Sequence, residues 1–319
     1  MELDQFVEKN DKFEARSYRQ YLSLESITYK RELLSRLNGS PVHDELLFIV
    51  LHQNIELWFL QALEESREAR RLISQGEIRL AIDELNRITR IFGVLTTTWD
   101  VLATLRPREF WRFREFFGGA SGFQSAQFRE LEFSFGLRGD AERDLRIHGE
   151  EIKDEAACAR LREELARPSL WDEVNRALSR QRFELPDEVL GREPSRPYPW
   201  PRAGSAVTGS DSEAGLERGC RAVEDAWLDI YSRRSEFPDL YDLGEELVDL
   251  SAAFSGWRFK HIMTVERFIG RLPGSAKDSD GVPYLLTTLD KRPFPELWSV
   301  RNRFNFWSDE RYREDRPSA

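Results

Sequence analysis

Residues 43–62 read His43-Asp44-Glu45-Leu46-Leu47-Phe48-Ile49-Val50-Leu51-His52-Gln53-Asn54-Ile55-Glu56-Leu57-Trp58-Phe59-Leu60-Gln61-Ala62. Leu47, Phe48, Leu51, Ile55, Trp58, Phe59 and Ala62 recur at spacings of three and four, the interval that returns a side chain to one face of an α-helix. The pattern runs on to Ser74 and stops at Gly76, which predicts one long amphipathic helix. His52 sits inside it, and burying a polar ring costs free energy unless a partner satisfies it.

Working outward, Glu77 to Leu105 repeats the helical spacing through Leu80, Ile82, Leu85, Ile88, Ile91, Phe92, Leu95, Trp99 and Leu102. Pro107 then stands at a natural first-turn position. The aromatic-rich stretch Glu109 to Phe117 runs into the tract Gly118-Gly119-Ala120-Ser121-Gly122, and a further helix is predicted from Ser125 to about Gly136. Residues 137–190 read as helical but less regular. Pro186 to Gly215 carries Pro194, Pro197, Pro199 and Pro201 with several glycines and serines, and reads as a flexible surface insertion. Helix is predicted again over Leu216–Arg234 and, with His261 inside it, from about Tyr241 to Gly270. A loop follows over Leu272–Gly281, and Val282–Trp307 ends the fold. Before the long helix, residues 1–17 read as an arm, and a first helical pattern over Tyr18–Leu37 is interrupted at Asn38-Gly39-Ser40-Pro41. No sustained period of two appears, so the expectation is an all-α helical bundle, with residues 18–319 as a single domain.

Composition narrows the function. The chain has 319 residues, 33% of them charged, and a formal net charge of -10. A nucleic-acid-binding surface normally carries a basic excess, so that class is excluded. Two cysteines, Cys158 and Cys220, are too few for a disulfide framework and form no Cys-x-x-Cys motif. No signal-like apolar leader and no apolar run of about 20 residues is found. The expectation is a soluble cytoplasmic protein with no membrane partner.

Four histidines occur: His43, His52, His148 and His261. His261 shares a helical face with Phe254, Trp257 and Val265, so its ring is read either as a core histidine bonded to a backbone carbonyl or as an axial haem ligand. His52 and Glu56, four apart, are read either as an ordinary helical pair or as part of a non-haem metal site. His43 reads as a helix-start residue beside Asp44 and Glu45, and His148 as structural. An arginine among aromatics can clamp a carboxylate while the rings hold a planar substrate. Spacing does not rank Arg112, Arg114 and Arg129 for that role. Trp58, Trp99, Trp257 and Trp298 read as core.

Taken together, ordered motifs over Tyr18–Arg301 resemble the tryptophan 2,3-dioxygenase family. They are Tyr18-x-x-Tyr21-Leu22-x-Leu24, His43-Asp44-Glu45-x-Leu47-Phe48-Ile49, His52-Gln53-x-x-Glu56-Leu57-Trp58-Phe59 and Ser121-Gly122-Phe123-Gln124-Ser125-x-Gln127-Phe128-Arg129-x-x-Glu132. Trp257-Arg258-Phe259-x-His261-x-x-Thr264-Val265 and Phe294-Pro295-Glu296-Leu297-Trp298 follow. The resemblance implies that His261 is the proximal ligand of a b-type haem and that His52 is the distal histidine meeting the indole N–H. It implies that Phe48 and Phe110 wall the indole and that Arg114 pairs with the substrate carboxylate. Tyr21 would reach a neighbouring subunit's pocket. Ser121 and Gly122 would lie against the haem and Trp99 near its edge, with Trp257 also among the cofactor-binding residues. The implied assembly is a homotetramer, and the implied reaction inserts both atoms of O2 across the C2–C3 bond of L-tryptophan or a close derivative, giving N-formylkynurenine.

One stretch departs from the family pattern. Where the family usually carries Gly-Thr-Gly-Gly-Ser-Ser-Gly, this chain reads Arg271-Leu272-Pro273-Gly274-Ser275-Ala276-Lys277-Asp278-Ser279-Asp280-Gly281. The threonine is missing, and Ser275 is the candidate stand-in for its hydroxyl. Phe117 takes a pocket-edge position that is often leucine. The departures fall on substrate recognition and leave the haem residues in place. They keep open a second reading, a biosynthetic relative that monooxygenates a substituted tryptophan or another aromatic amino acid. A third reading is a haem-binding scaffold without turnover.

Overall fold

A computed structural model describes residues 17–29, 32–118, 120–138, 154–195, 211–272 and 281–304. Among them there are helices and turns and no strand. Two four-residue helices, α1 (Tyr18–Tyr21) and α2 (Leu34–Leu37), precede the long α3 (Glu45–Gln75) and α4 (Ile78–Leu102). Next come α5 (Pro107–Arg114), α6 (Ala126–Ser134), α7 (Glu155–Ala166), α8 (Leu170–Arg180) and α9 (Asp187–Leu190). The chain continues through α10 (Asp211–Ser232), α11 (Pro238–Ile269), α12 (Val282–Thr287) and α13 (Pro295–Ser299).

The two helices read most directly from spacing anchor the bundle. Gly76 ends α3 in the left-handed region at φ 84°, a conformation that side chains other than glycine's resist. The chain then turns at once into α4, so α3 and α4 form an antiparallel hairpin. α11 packs along the other side of α4. Arg79 pairs with Asp239 at 3.1 Å near the start of both helices, and Lys260 pairs with Asp100 at 2.6 Å near their ends, so α4 and α11 run parallel. This arrangement brings the first half of α3 and the last turns of α4 and α11 to one end of the bundle.

The core is apolar and closely interleaved: Leu51, Ile55, Phe59, Leu85, Ile88, Phe92, Leu95, Trp99, Leu247, Leu250 and Phe254 are all buried. Trp58 and Trp298 are only half-buried, and Leu80 points to solvent at 51% exposure although it fits the apolar spacing of α4. α3 is the one helix among the described residues long and apolar enough to cross a membrane. Its buried face serves as core here, while Leu46, Val50, Leu57 and Leu60 are exposed along its flank.

The structure differs from the sequence reading in several places. The single helical pattern over residues 18–37 resolves into α1, a π turn over Glu25–Tyr29, and α2, with Ser23 at φ 49° between the first two. Tyr18, Tyr21 and Leu22 are exposed, so no core stabilises a continuous helix there. Glu45 does more than sit near its own helix's dipole. Its buried carboxylate accepts the backbone N–H groups of Leu34 at 2.9 Å and Ser35 at 3.0 Å, which ties α2 to α3. Helix α10 begins at Asp211 rather than Leu216, and α11 at Pro238 rather than Tyr241, with the proline at a first-turn position.

The proposed insertion over 186–215 includes α9 and the start of α10 in its described parts. Before residue 196 it is anchored: Arg192 pairs with Asp172 at 2.6 Å, and the fully buried Arg138 donates to the Pro194 carbonyl at 2.6 Å. Residues 196–210 lie outside the described set, as do His148 and the arm over 1–16.

Candidate functional site

His52 is on α3, two turns in. Its Nδ1 lies 2.7 Å from the Phe48 carbonyl. A carbonyl only accepts, so Nδ1 carries the proton and Nε2 keeps its lone pair. Burial lowers the His52 pKa from its ordinary value, against the Phe48 bond and the nearby Glu56 charge, which raise it. The ring is therefore neutral at physiological pH, with an acceptor on its free nitrogen. Glu56 does not complete a metal site with it: Gln127 on α6 donates to the Glu56 carboxylate at 2.7 Å and to its carbonyl at 3.0 Å. Among the described residues no cluster of three or more His, Cys, Asp or Glu could hold a metal ion.

His261 is on α11 at the same end of the bundle. Its pKa falls to about 4, first because of burial and then because of the charges of His52 and Arg258. The two imidazoles meet a common aromatic ring. Trp99 lies between them, 6.2 Å from the His52 ring and stacked on the His261 ring at 4.9 Å. Trp257, one turn before His261, stacks on it at 5.7 Å. Both imidazoles keep partial surface accessibility. Thus the bland alternative for His261, a bond to a backbone carbonyl, finds no such bond among the described residues.

These features bear on whether a haem fits. A b-type haem needs a neutral nitrogen ligand and acceptable sites for its two carboxylates. A neutral His261 supplies the first. The indole N–H groups of Trp99 and Trp257 are buried with no acceptor, an arrangement that is costly unless something satisfies them. Two such donors beside a low-pKa histidine suit an anionic planar group, and the residues present fit it.

The wall of the site is aromatic. Phe48 stacks on Phe117 at 5.1 Å, lies 4.1 Å from the His52 ring, and meets Phe110 at 6.0 Å and Phe113 at 5.7 Å. Phe110 stacks on Phe268 of α11 at 5.3 Å. Helix α5 starts at Pro107 and carries these rings toward α3 and α11, on its buried face through Phe110 and Phe113. Of the three arginines that spacing left unranked, Arg112 pairs with Glu109 at 2.8 Å on the surface and Arg129 pairs with Glu132. Arg114 is half-buried, its guanidinium 4.5 Å from the centre of the Trp111 ring, and burial lowers its pKa.

His52, Phe48, Phe110, Phe117, Trp99, Trp257 and His261 therefore form one continuous set of contacts. Ser121 and Gly122 precede α6, whose Gln127 holds the α3 turn next to His52. Tyr21 is 77% exposed on α1. Ser275 lies outside the described residues. Spacing alone missed Phe113 and Phe268, which belong to the same aromatic wall. It also missed Arg258, which is 4% exposed three residues before His261 and pairs with Glu132 of α6. The signal for Arg258 was a charged residue on an otherwise apolar helical face.

Fold and site together define an all-α protein in which His52 and His261 both meet the Trp99 ring at one end of the bundle. The sequence profile described as Tryptophan 2,3-dioxygenase matches residues 1–168 and 165–304. A Tryptophan 2,3-dioxygenase of Caulobacter vibrioides is 40% identical over 288 residues, covering 90% of this chain and 98% of that one. Proteins of the same name from Exiguobacterium sibiricum (39% over 287 residues, 90% of this chain and 92% of that one) and Polaromonas sp. (39% over 285 residues, 89% and 87%) are also similar. This chain belongs to the tryptophan 2,3-dioxygenase family, a family of oxidoreductases.

Proposed function

We propose that this chain catalyses the haem-dependent insertion of O2 across the indole C2–C3 bond of L-tryptophan, giving N-formylkynurenine. The observation that carries the reading is the pair His52 and His261, brought together through Trp99 at one end of the bundle in a chain of this family. The name shared by the relatives favours it over the monooxygenating alternative.

In this reading His261 would hold the iron of a b-type haem, and Trp99, Trp257, Ser121 and Gly122 would line its site. When bound, that haem supplies activation of O2, the hard step of the chemistry. The chain's own residues supply position. His52 presents Nε2 as an acceptor for the indole N–H, a weakly acidic group that needs no strong base. Phe48, Phe110 and Phe117 flank the indole and exclude water from it. Arg114 takes the carboxylate, and its fork fixes the orientation of the ring that a carboxylate-free indole would lack. Ser275 is assigned to the substrate ammonium by its place in the stretch after α11.

The working assembly is a homotetramer, with Tyr21 of one chain serving a neighbour's pocket. Exposed Tyr18, Tyr21 and Leu37 on the N-terminal segment and Leu46, Val50, Leu57 and Leu60 on α3 favour this, because they leave apolar surface for other copies to cover. A cytoplasmic location agrees with Cys158 and Cys220 as free thiols.

The test is direct. Ferrous, haem-loaded protein mixed with L-tryptophan in air is expected to consume one O2 for each N-formylkynurenine formed, and His261→Ala is expected to lack a Soret band. Oxygen consumption that does not depend on L-tryptophan, or a full Soret band in the variant, contradicts the reading.

A further inference from the structure

Trp111 is an odd surface tryptophan. It is 45% exposed, yet it is fixed at both its edge and its face. At the edge, its indole N–H donates to the Phe268 carbonyl at 3.1 Å. Phe268 lies in the last turn of α11, where carbonyls have no donor four residues on. The neighbouring bonds go elsewhere: Gly270 N–H to the Glu266 carbonyl at 2.8 Å and Leu272 N–H to the Ile269 carbonyl at 3.3 Å. The indole is thus a side-chain cap on the end of α11. The Phe110–Phe268 stack at 5.3 Å, one residue along α5, holds the same junction. At the face, the Arg114 guanidinium lies 4.5 Å from the ring centre, within the range of a cation–π contact.

We propose that Trp111 is a positioning residue for Arg114. The inference rests on the reading that Arg114 binds the substrate carboxylate. A free arginine side chain samples many rotamers and loses that freedom on clamping a ligand. An indole face whose plane is locked to α11 restricts the guanidinium before substrate arrives, so less ordering remains when the carboxylate binds. Arg114 and Trp111 are three residues apart on α5, close enough for this contact without bending the helix. Burial of the guanidinium, which lowers its pKa, strengthens the contact relative to a fully solvated one.

The effect is confined to ligands with a carboxylate, which separates positioning from general damage. The experiment measures binding of 3-indolepropionate and of 3-methylindole, and KM and kcat for L-tryptophan, on haem-loaded full-length protein. The variants are Trp111→Leu, Trp111→Phe, Arg114→Ala and the double variant Trp111→Leu/Arg114→Ala. Trp111→Leu is expected to weaken 3-indolepropionate and raise KM about 3- to 30-fold. It is expected to leave kcat and the affinity for 3-methylindole within about 2-fold. Trp111→Phe keeps a ring face and is expected to recover part of the loss, which also covers the case in which the leucine variant folds poorly. In the Arg114→Ala background, Trp111→Leu is expected to add no further loss.

If Arg114→Ala does not selectively weaken 3-indolepropionate, the carboxylate assignment of Arg114 falls, and the proposal with it. If Arg114→Ala does so but Trp111→Leu does not, only the positioning role falls. Equal weakening of 3-methylindole by Trp111→Leu also overturns it, since that marks a structural role.

Discussion

Glu132→Gln removes the carboxylate that faces Arg258 from α6. Both side chains are nearly closed off, Arg258 at 5% and Glu132 at 6% exposure, and Arg129 pairs with the same carboxylate from one turn away. The amide is almost isosteric, so packing changes little and the effect is electrostatic. Leaving a buried charge without its partner costs about 3–5 kcal/mol. Arg258 keeps two acceptors, the Thr288 carbonyl at 3.1 Å and the Lys291 carbonyl at 2.8 Å, and lies 4.3 Å from the Phe254 ring centre. Those contacts place the expected loss near the lower end, about 3 kcal/mol. For a fold of this size that corresponds to a fall in Tm of roughly 4–5 °C.

The assay is urea unfolding followed by far-UV circular dichroism, with the slope compared between proteins. The double variant Glu132→Leu/Arg258→Met removes both charges. It is expected to be more stable than Glu132→Gln alone by at least about 1 kcal/mol, because Arg258, the more deeply buried of the two arginines on that carboxylate, no longer faces an uncharged amide. Arg258 sits three residues before His261, so Glu132→Gln is also expected to loosen haem retention. A loss below about 1 kcal/mol for Glu132→Gln with an unchanged slope, or a double variant worse than the single, would refute the reasoning.

Two further perturbations follow from the same reading. Asp172 is buried, which alone would raise its pKa, but Arg192 and Ser169 more than offset this and the net pKa is lowered. A lowered folded pKa stabilises above the unfolded value and loses that stabilisation as pH falls through the folded one. Asp172→Asn is therefore expected to cost about 3 kcal/mol at pH 7, with the gap to wild type narrowing as pH drops below about 4, measured by urea unfolding at several pH values. Arg114→Ala is expected to raise KM for L-tryptophan roughly 10- to 100-fold, the loss of a charge-assisted hydrogen bond, while haem content stays constant. An unchanged KM would mean that the carboxylate is held elsewhere.

The long helices were legible because their apolar residues repeat at helical spacing and because Gly76 and Pro107 mark an end and a start. His52 and His261 stood out as polar rings on apolar faces. Spacing could not say what covers a face, however. The residues from Tyr18 to Leu37 carry apolar side chains at helical intervals, yet those exposed in this chain have no core to join, and the segment breaks at Ser23. The start of α10 was hidden because Gly209-Ser210-Asp211-Ser212 has the composition of a loop, although Asp211 also suits a first turn.

Contacts that join distant parts of the chain were not legible at all. Trp111 meets Phe268, Glu132 meets Arg258, and Gln127 meets Glu56 only after the helices pack. The pairings of Arg112 with Glu109 and of Arg129 with Glu132, and the place of Arg114 over the Trp111 ring, likewise needed the structure.

The measurement that bears most directly on the central claim is mass spectrometry of the product made from L-tryptophan under isotopically labelled O2 by the reduced, haem-loaded protein. The account predicts N-formylkynurenine carrying two labelled oxygens. A product with one labelled oxygen, or turnover only with a substituted tryptophan, would contradict it.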